Sequence, residues 1–165
     1  MNGGRLALLA LTLLGAAAGC GGQRGMDKII QVVYTADSGP VIPEMQWHER
    51  ITISRDKVTL MRNGRADRTL VNAGAWEWTA DQESAAALFA QLQAVDCPAI
   101  RRIEPEDSPD GGGATTYTVI RSKGRPCTLT YDPGATYAGG QQIVEPVRAF
   151  ILGLALPAEA GSRYR

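Results

Sequence analysis

The sequence is poor in the residues on which many enzyme active sites depend. Its 165 residues include one histidine, His48, and three cysteines. Zinc sites and Ser-His-Asp triads need more of these side chains than the chain supplies. The sequence also lacks the motifs G-x-S-x-G, H-E-x-x-H and G-x-x-x-x-G-K-S/T, which mark serine hydrolases, zinc proteases and phosphate-binding loops. We therefore favour a non-catalytic protein without a cofactor or a bound metal.

An excess of charge of either sign is lacking as well. Lysine and arginine total 17, aspartate and glutamate also total 17, and removal of residues 1–19 takes away Arg5 alone. Proteins that bind nucleic acid carry a basic footprint, and no polybasic stripe is evident along this sequence. Nucleic acid is therefore not among the predicted partners.

A long hydrophobic run is the third absence. The apolar stretch from Leu6 to Leu14 is about half of the roughly 20 residues that a membrane-spanning helix needs. Arg5 precedes this stretch, and the small residues 16–19 follow it, which is the order of a secretory signal peptide. We therefore predict that residues 1–19 are a signal peptide and that the protein is exported.

The residues before Cys20 leave two cleavage sites open. Ala16-Ala17-Ala18 fits the A-x-A pattern of an ordinary secretory signal. Ala17-Ala18-Gly19-Cys20 resembles the lipobox of bacterial lipoproteins, with Ala17 where leucine is usual. The resemblance implies cleavage before Cys20, a diacylglyceryl thioether on its sulfur, and further acylation, for example by palmitate, of the new amine. Because the glycine-rich residues 20–27 suit a flexible tether, we favour this anchor in a membrane of the cell envelope.

Cys97 and Cys127 remain once Cys20 is assigned to the lipid. In an oxidising compartment they can form a disulfide, which would close a loop of about 30 residues and contribute roughly 3 kcal/mol. Two buried free thiols are an alternative, and a catalytic thiol is another, with His48 as the single histidine available to it. We predict the disulfide.

Alternating apolar residues predict several strands before the first helix. The segments are Lys28–Asp37, Trp47–Arg55, Lys57–Arg62 and Ala75–Thr79. Asn63-Gly64 is typical of a type I′ turn, and we predict that it closes a hairpin. Glu49 is the one charge on the predicted buried face of its strand. Residues 41–45, which include Pro43, are predicted to be irregular.

The helix between the predicted strands has clear sequence signals at both ends. Thr79 and Gln82 match a capping box, and Asp96-Cys97-Pro98 ends the apolar spacing that follows. The apolar positions at helical spacing are Ala85, Leu88, Phe89, Leu92 and Val95.

The rest of the chain predicts a hairpin and a second helix. Residues 115–132 alternate as two strands that turn at Lys123-Gly124, and the helix extends from Ile143 to Leu154 with Pro146 in its first turn. The fold class is therefore α+β, a mainly antiparallel sheet of meander plus hairpin with two helices packed on it. We place this single domain at residues 28–157, with a polar tail at 158–165.

Two long polar loops hold the remaining candidates, and we predict that they meet because they flank one hairpin. Loops 104–114 and 132–141 contain the candidate binding residues Asp107, Asp110, Asp132 and Tyr137. Their carboxylates can in principle hold Ca²⁺, but the spacing is not that of an EF-hand, and Pro-Asp-Gly and Asp-Pro-Gly are ordinary turn sequences. The tryptophans and tyrosines can line a groove for sugars or peptides, although such residues in a small sheet protein more often belong to the core.

These features favour a membrane-anchored lipoprotein whose domain binds or scaffolds an envelope protein or peptide. Between residues 47 and 154, the order of elements and the Asp-Gly-rich approach to a tyrosine-bearing hairpin are similar to protease-inhibitor domains of the emfourin type. That resemblance implies inhibition of proteases and assigns no inhibitory residue. The alternative from another class is a cell-surface hydrolase that uses the loop carboxylates.

Overall fold

The described chain consists of four strands, a helix, four further strands and a second helix. A computed structural model of the protein describes residues 28–64, 72–107 and 109–160. The strands are β1 (Ile29–Asp37), β2 (Trp47–Ile53), β3 (Lys57–Gly64), β4 (Gly74–Thr79), β5 (Arg101–Ile103), β6 (Thr115–Arg121), β7 (Cys127–Tyr131) and β8 (Thr136–Ala138). The helices are α1 (Gln82–Gln93) and α2 (Gln141–Gly153). The predicted signal peptide and Cys20 lie outside the described residues.

Six of these strands form one antiparallel sheet. Their order is β4-β3-β2-β1-β6-β7, and the short strands β5 and β8 pair with each other. The α+β class, with a meander and a hairpin, is confirmed. The hairpin joins the meander along β1, which therefore lies inside the sheet. This position explains why the consecutive residues Val32 and Val33, on opposite faces, are both buried.

Both helices pack on one face of the sheet. Alternate strand residues point toward them, and Val32, Ile53 and Val119 form one such row across three strands. The helices contribute the buried residues Ala85, Leu88, Phe89, Leu92, Ile143, Val144 and Val147. Full burial of a large aliphatic or aromatic side chain of this kind contributes roughly 1.5–3 kcal/mol. In the described part of the chain, neither helix has the length and apolarity needed to span a membrane.

A disulfide joins Cys97 to Cys127, as predicted. The two Cα atoms lie 5.9 Å apart, within the ordinary range for a disulfide. Cys97 begins a short 3₁₀ turn after α1, and the buried Cys127 is the first residue of β7. The bond therefore ties the end of the first helix to an edge strand of the large sheet.

Glu49 is buried on β2 because Arg62 lies directly opposite it on β3. The Nε of Arg62 donates to Oε2 of Glu49 at 2.5 Å, and its Nη1 donates to the carbonyl of Ala160 at 2.7 Å. Ala160 itself is fully buried. The packed chain thus continues past residue 157, where the sequence pattern placed the end of the domain.

The turn predicted at Asn63-Gly64 is wrong. Both residues belong to β3, where Asn63 lies opposite His48 and Gly64 lies opposite Trp47. Gly64 has φ +152°, and a Cβ there would lie 2.7 Å from the carbonyl oxygen of Gln46. The glycine therefore permits a close approach between strands, and the connection to β4 falls largely outside the described residues.

The predicted capping box at Thr79 is also wrong. Thr79 remains in β4, and the amide of Ala80 extends the strand ladder by donating to the carbonyl of Asp56. Asp81 is the N-cap of α1 instead, because its Oδ1 accepts from the amide of Ser84 at 2.8 Å. Hydrogen bonds from Ser84 lower the pKa of this carboxyl.

The remaining helix boundaries shift by a few residues. α1 ends at Gln93, before Asp96-Cys97-Pro98, and a 3₁₀ turn takes up the proline. α2 begins at Gln141 rather than near Ile143. Pro146 therefore lies in the second turn, where its missing N–H removes one hydrogen bond of the helix, and the first-turn placement is wrong.

The small sheet forms where the sequence predicts no strand, because β8 lies within the predicted loop 132–141 and β5 directly precedes the predicted loop 104–114. Arg101 pairs with Ala138, and Ile103 pairs with Thr136. Each of these strands has three residues, which is too short for a periodic pattern to appear in the sequence. The small sheet lies beside β7 and brings its flanking loops to the end of the large sheet.

Candidate binding surface

Three loops meet at one end of the large sheet, and together they form what we call the loop platform. It comprises residues 37–46, 104–107, 109–114 and 132–135. The amide of Asp37 donates to the carbonyl of Ala114 at 3.1 Å, and its Oδ1 accepts from the amides of Gly39 and Ala114. The side chain of one strand-end residue thus holds two of the loops together.

Glycines allow these loops to touch through their backbones. A Cβ at Gly39 would overlap the carbonyl of Gly112, and one at Gly113 would overlap the carbonyl of Asp37. A Cβ at Gly112 would lie 2.9 Å from the ring of Pro133. The loops that contain Asp107, Asp110 and Asp132 therefore do lie side by side.

The β1–β2 loop holds two apolar side chains outward. Ile42 and Met45 are 56% and 50% exposed. The loop is closed at its base by Ser38, which bonds to both backbone groups of Trp47, and the side chain of Gln46 donates to a carbonyl within the loop. These apolar side chains therefore project from a turn that several hydrogen bonds hold in place.

The platform carries acidic residues and neither lysine nor arginine. Its acids are Asp37, Glu44, Glu104, Glu106, Asp107, Asp110 and Asp132. Asp107, Asp110 and Asp132 are all exposed. Within the described residues, no three side chains of His, Cys, Asp or Glu are grouped closely enough to hold a metal ion. The acids therefore share the loops of the platform with the exposed Ile42 and Met45.

Asp132 is held by Arg102 of β5. The guanidinium donates to Asp132 Oδ2 at 2.8 Å, to Glu104 Oε1 at 2.5 Å and to the carbonyl of Thr130 at 2.5 Å. Its hydrogen bond to Glu104, followed by those to Tyr137 and Asp132, raises the pKa of Arg102, and the same contact lowers the pKa of Glu104. Asp132 therefore helps to attach the small sheet to β7.

Tyr137 covers the edge of β7. Its hydroxyl accepts from the amide of Thr130 at 3.0 Å and donates to the carbonyl of the same residue at 3.2 Å. An uncovered edge strand invites pairing with other chains, so this contact protects the sheet.

The ring of Tyr137 also ends a row of four tyrosines whose rings meet edge to face or at a tilt. Tyr34, Tyr117, Tyr131 and Tyr137 follow one another with ring centroids 5.0 to 5.9 Å apart. Burial raises the pKa of Tyr34 to about 12, and it also raises the pKa values of Tyr117 and Tyr131. Trp76 and Trp78 pack partly buried against the core. These aromatic residues serve packing, which was the preferred interpretation of the sequence.

His48 lies apart from the candidate acids. It lines a cavity of about 360 Å³, together with Asp37, Ser38, Gly39, Gln46, Trp47, Asn63 and Gly64. None of Asp107, Asp110 and Asp132 lines this cavity. The structure thus brings the two candidate loops together without adding the histidine to them.

Sequence comparison adds no further constraint. No protein-family model matches the chain, and no curated protein sequence matches it either. The surface is therefore interpreted from its own residues.

Sequence reasoning missed two residues of this surface, Ile42 and Met45, and also Arg102, which borders it. Ile42 and Met45 gave a usable signal, because apolar residues around Pro43, in an irregular segment, have no helix or strand in which to be buried. Arg102 gave none, since Thr130 and Asp132 are distant in sequence and meet it only through β5 and β8.

Proposed function

We propose that the chain is an exported lipoprotein, held in a membrane of the cell envelope through acyl groups on Cys20. Its domain binds an envelope protein or peptide through the loop platform and catalyses no reaction. The main observation in support of this proposal is that the platform and residue 28, which follows the tether, lie at opposite ends of β1. β1 begins at Ile29, beside the tether, and ends at Asp37 in the platform.

Cysteine pairing supports the anchor. The chain has three cysteines, and the disulfide uses Cys97 and Cys127. Disulfides persist in exported proteins, which agrees with a signal peptide. Cys20 is then the remaining thiol, next to the residues that resemble a lipobox.

The length of β1 supports a platform that faces away from the membrane. At roughly 3.3 Å per residue, β1 spans about 26 Å from Ile29 to Asp37. The residues between Cys20 and Lys28 extend at most about 28 Å. The domain is therefore held close to the lipid by one end, while the platform at the other end meets other components of the envelope.

The composition of the platform indicates what it binds. Interfaces commonly combine an apolar centre with a polar rim, and Ile42 and Met45 within the acidic loops have this arrangement. The platform has seven acids, and Arg102 beside it pairs with two of them, Glu104 and Asp132, so its net charge is negative. A complementary partner therefore offers an apolar pocket bordered by lysine or arginine. Such a partner is a protein or a peptide.

Fractionation of cells tests the anchor. The wild-type chain should be recovered with membranes and should require detergent for release. The Cys20→Ala chain should be found in the soluble extracytoplasmic fraction or remain unprocessed. Equal release of both chains without detergent would exclude attachment through Cys20.

Cross-linking in intact envelopes tests the platform. An Ile42→Ser/Met45→Ser chain should lose the cross-linked partner that wild type captures. Leu152→Ser is the matched control, because Leu152 is 70% exposed on α2 and lies outside the platform. Identical cross-links in all three chains would contradict binding through the platform.

Inhibition of a protease is a second candidate, and the β1–β2 loop favours it. Hydrogen bonds hold this loop in one conformation, with Ile42 and Met45 pointing outward. A loop that is rigid before it binds can occupy a protease groove with little loss of conformational entropy. Purified protein that leaves a panel of extracellular metalloproteases and serine proteases fully active would eliminate this candidate.

A further inference from the structure

The end of the sheet opposite the platform is basic, although no polybasic stretch occurs in the sequence. It consists of Lys28, the β2–β3 turn at residues 54–57 and the β6–β7 turn at residues 121–126. We call these segments the basic turns. They contain six basic residues and one acid, Asp56, and they include all three lysines of the chain.

Hydrogen bonds and strand register bring the basic turns together beside the tether. The amide of Lys28 donates to Ser122 Oγ at 3.0 Å, and the amide of Ser122 donates to the carbonyl of Lys28 at 2.7 Å. Ile53, next to the β2–β3 turn, pairs with Val32 of β1. Both turns therefore lie at the end of β1 where the tether begins.

Five of these six side chains are exposed, and the guanidinium of Arg55 also lies over the ring of Phe89, 5.1 Å from its centroid. The exposed residues are Lys28, Arg55, Lys57, Lys123 and Arg125. Lys57 is paired with Glu77 at 3.1 Å, and Arg121 donates to carbonyls at the end of α1. The amide of Ala80 donates to the carbonyl of Asp56, so the exposed acids Asp81 and Glu83 lie beside the same turn. Apart from the pair of Lys57 with Glu77, the four other exposed bases outnumber these two acids and Asp56 by one.

An exposed apolar residue accompanies these charges. Ile30 is 51% exposed and follows Lys28 and Ile29 at the start of β1, where the pairing with β6 has a register irregularity. Basic side chains beside an exposed apolar group are typical of surfaces that rest on lipid headgroups.

We propose that the basic turns rest on anionic phospholipid headgroups of the membrane that holds Cys20, so that the domain stands with its loop platform outward. This inference rests on the proposed function, because the tether supplies the proximity. The acidic platform is repelled by the same surface, so the charges at the two ends of β1 favour the same orientation.

Distances make this contact feasible. Eight glycine-rich residues have a root-mean-square length of about 16 Å as a random coil, and the Debye length at physiological salt is about 8 Å. A domain held at that distance by one end therefore needs to rotate only slightly to bring its basic turns within the electrostatic range of the headgroups. Lipid anchors commonly combine acyl chains with a basic surface of this kind.

Lysine footprinting of the acylated full chain tests the orientation. The protein is placed in vesicles of phosphatidylcholine alone or with about 30% phosphatidylglycerol. Reductive methylation with formaldehyde and the reductant dimethylamine–borane, both uncharged, is followed at each lysine by mass spectrometry. We expect methylation of Lys28 and Lys123 to slow about three-fold in the anionic vesicles, and the effect to disappear at 0.5 M NaCl.

Three variants keep the lysine probes and change only charge, two of them in the basic turns and one elsewhere. Arg55→Gln/Arg125→Glu should abolish the protection, and Arg125→Glu alone, in an exposed turn, should reduce it. Arg50→Gln/Arg101→Glu makes the same change in charge on exposed residues outside the basic turns, and it should leave the protection intact.

The outcomes separate this inference from the proposal beneath it. A chain that fails to float with either type of vesicle contradicts the anchor and, with it, the orientation. A chain that floats with both types but shows equal methylation rates contradicts the orientation alone. Protection that survives Arg55→Gln/Arg125→Glu would also overturn it.

Discussion

At the scale of single residues, the pair of Glu49 and Arg62 shows how a charge can occupy the buried face of a strand. The sequence marks Glu49 as discordant with its apolar neighbours but does not indicate its partner. Arg62 becomes that partner only because β3 continues to Gly64 and sets the register against β2. Asn63-Gly64 is typical of a turn and predicts that the strand ends before these residues. The pairing of Glu49 with Arg62 therefore could not be predicted from local sequence.

Glu49→Gln should strongly destabilise the domain. It leaves the guanidinium of Arg62 buried, with its side chain 2% exposed and no counter-charge, and such a change typically costs about 3–5 kcal/mol. Glu77→Gln is the matched control, since its cross-strand pair with Lys57 is exposed and should contribute less than about 1 kcal/mol. Urea unfolding measures both, and equal losses would refute the structural role of the buried pair.

Tyr34 should make the fold sensitive to alkali. Burial, with smaller contributions from Tyr117 and Glu49, raises its pKa from 10.0 to about 12. The folded state therefore disfavours the ionised phenol, so its stabilising contribution is complete below pH 10 and is lost as the pH rises toward 12. The loss should be about 2 kcal/mol, allowing for the partial exposure of the ring.

Thermal unfolding between pH 8 and 12 measures this loss, and Tyr34→Phe is the control. The variant should show a flatter decline over the same range. Parallel profiles for the two proteins would rule out Tyr34 as the titrating group.

At the scale of elements, the loop platform and the β6–β7 turn depend on glycine in two different ways. Gly39 has φ +70° and also lies against the backbone of Gly112. Gly124, in the β6–β7 turn, has φ +83° and has no atom within 4 Å of the position of a Cβ. The two sites therefore separate backbone strain from close packing.

Gly39→Ala should be more damaging than Gly124→Ala. The turn variant carries only the strain of the left-handed conformation, about 1 kcal/mol, while Gly39→Ala adds a clash and should lose about 3 kcal/mol or more. Urea unfolding gives the stabilities, and cross-linking shows whether the platform still binds. Similar stabilities for the two variants would mean that the loops are not tightly packed.

Long elements could be predicted from the sequence, and short ones could not. The spacing of Leu88, Phe89 and Leu92 predicts α1 because a helix repeats its buried face over several turns. β5 and β8 have three residues each and become strands only by pairing with one another. In the candidate site, the two acidic loops and their proximity could be predicted. The hydrogen bond from Arg102 to Asp132 could not, because it depends on the pairing of β5 with β8.

At the scale of the whole molecule, the fold separates charges that are mixed along the sequence. The strand order gathers seven acids at one end of β1 and six basic residues at the other, while the chain as a whole is neutral. Composition alone therefore predicts no charged surface, and the antiparallel connections create two. With a lipid on Cys20, this polarity presents the platform outward.

The attachment at Cys20 is the central claim, and mass spectrometry of the mature N-terminus tests it most directly. We predict that the first residue of the mature chain is Cys20 and that it carries the added mass of a diacylglyceryl thioether, with or without an N-acyl group. A mature chain that begins at Gly19, or a Cys20 with a free thiol, would contradict it.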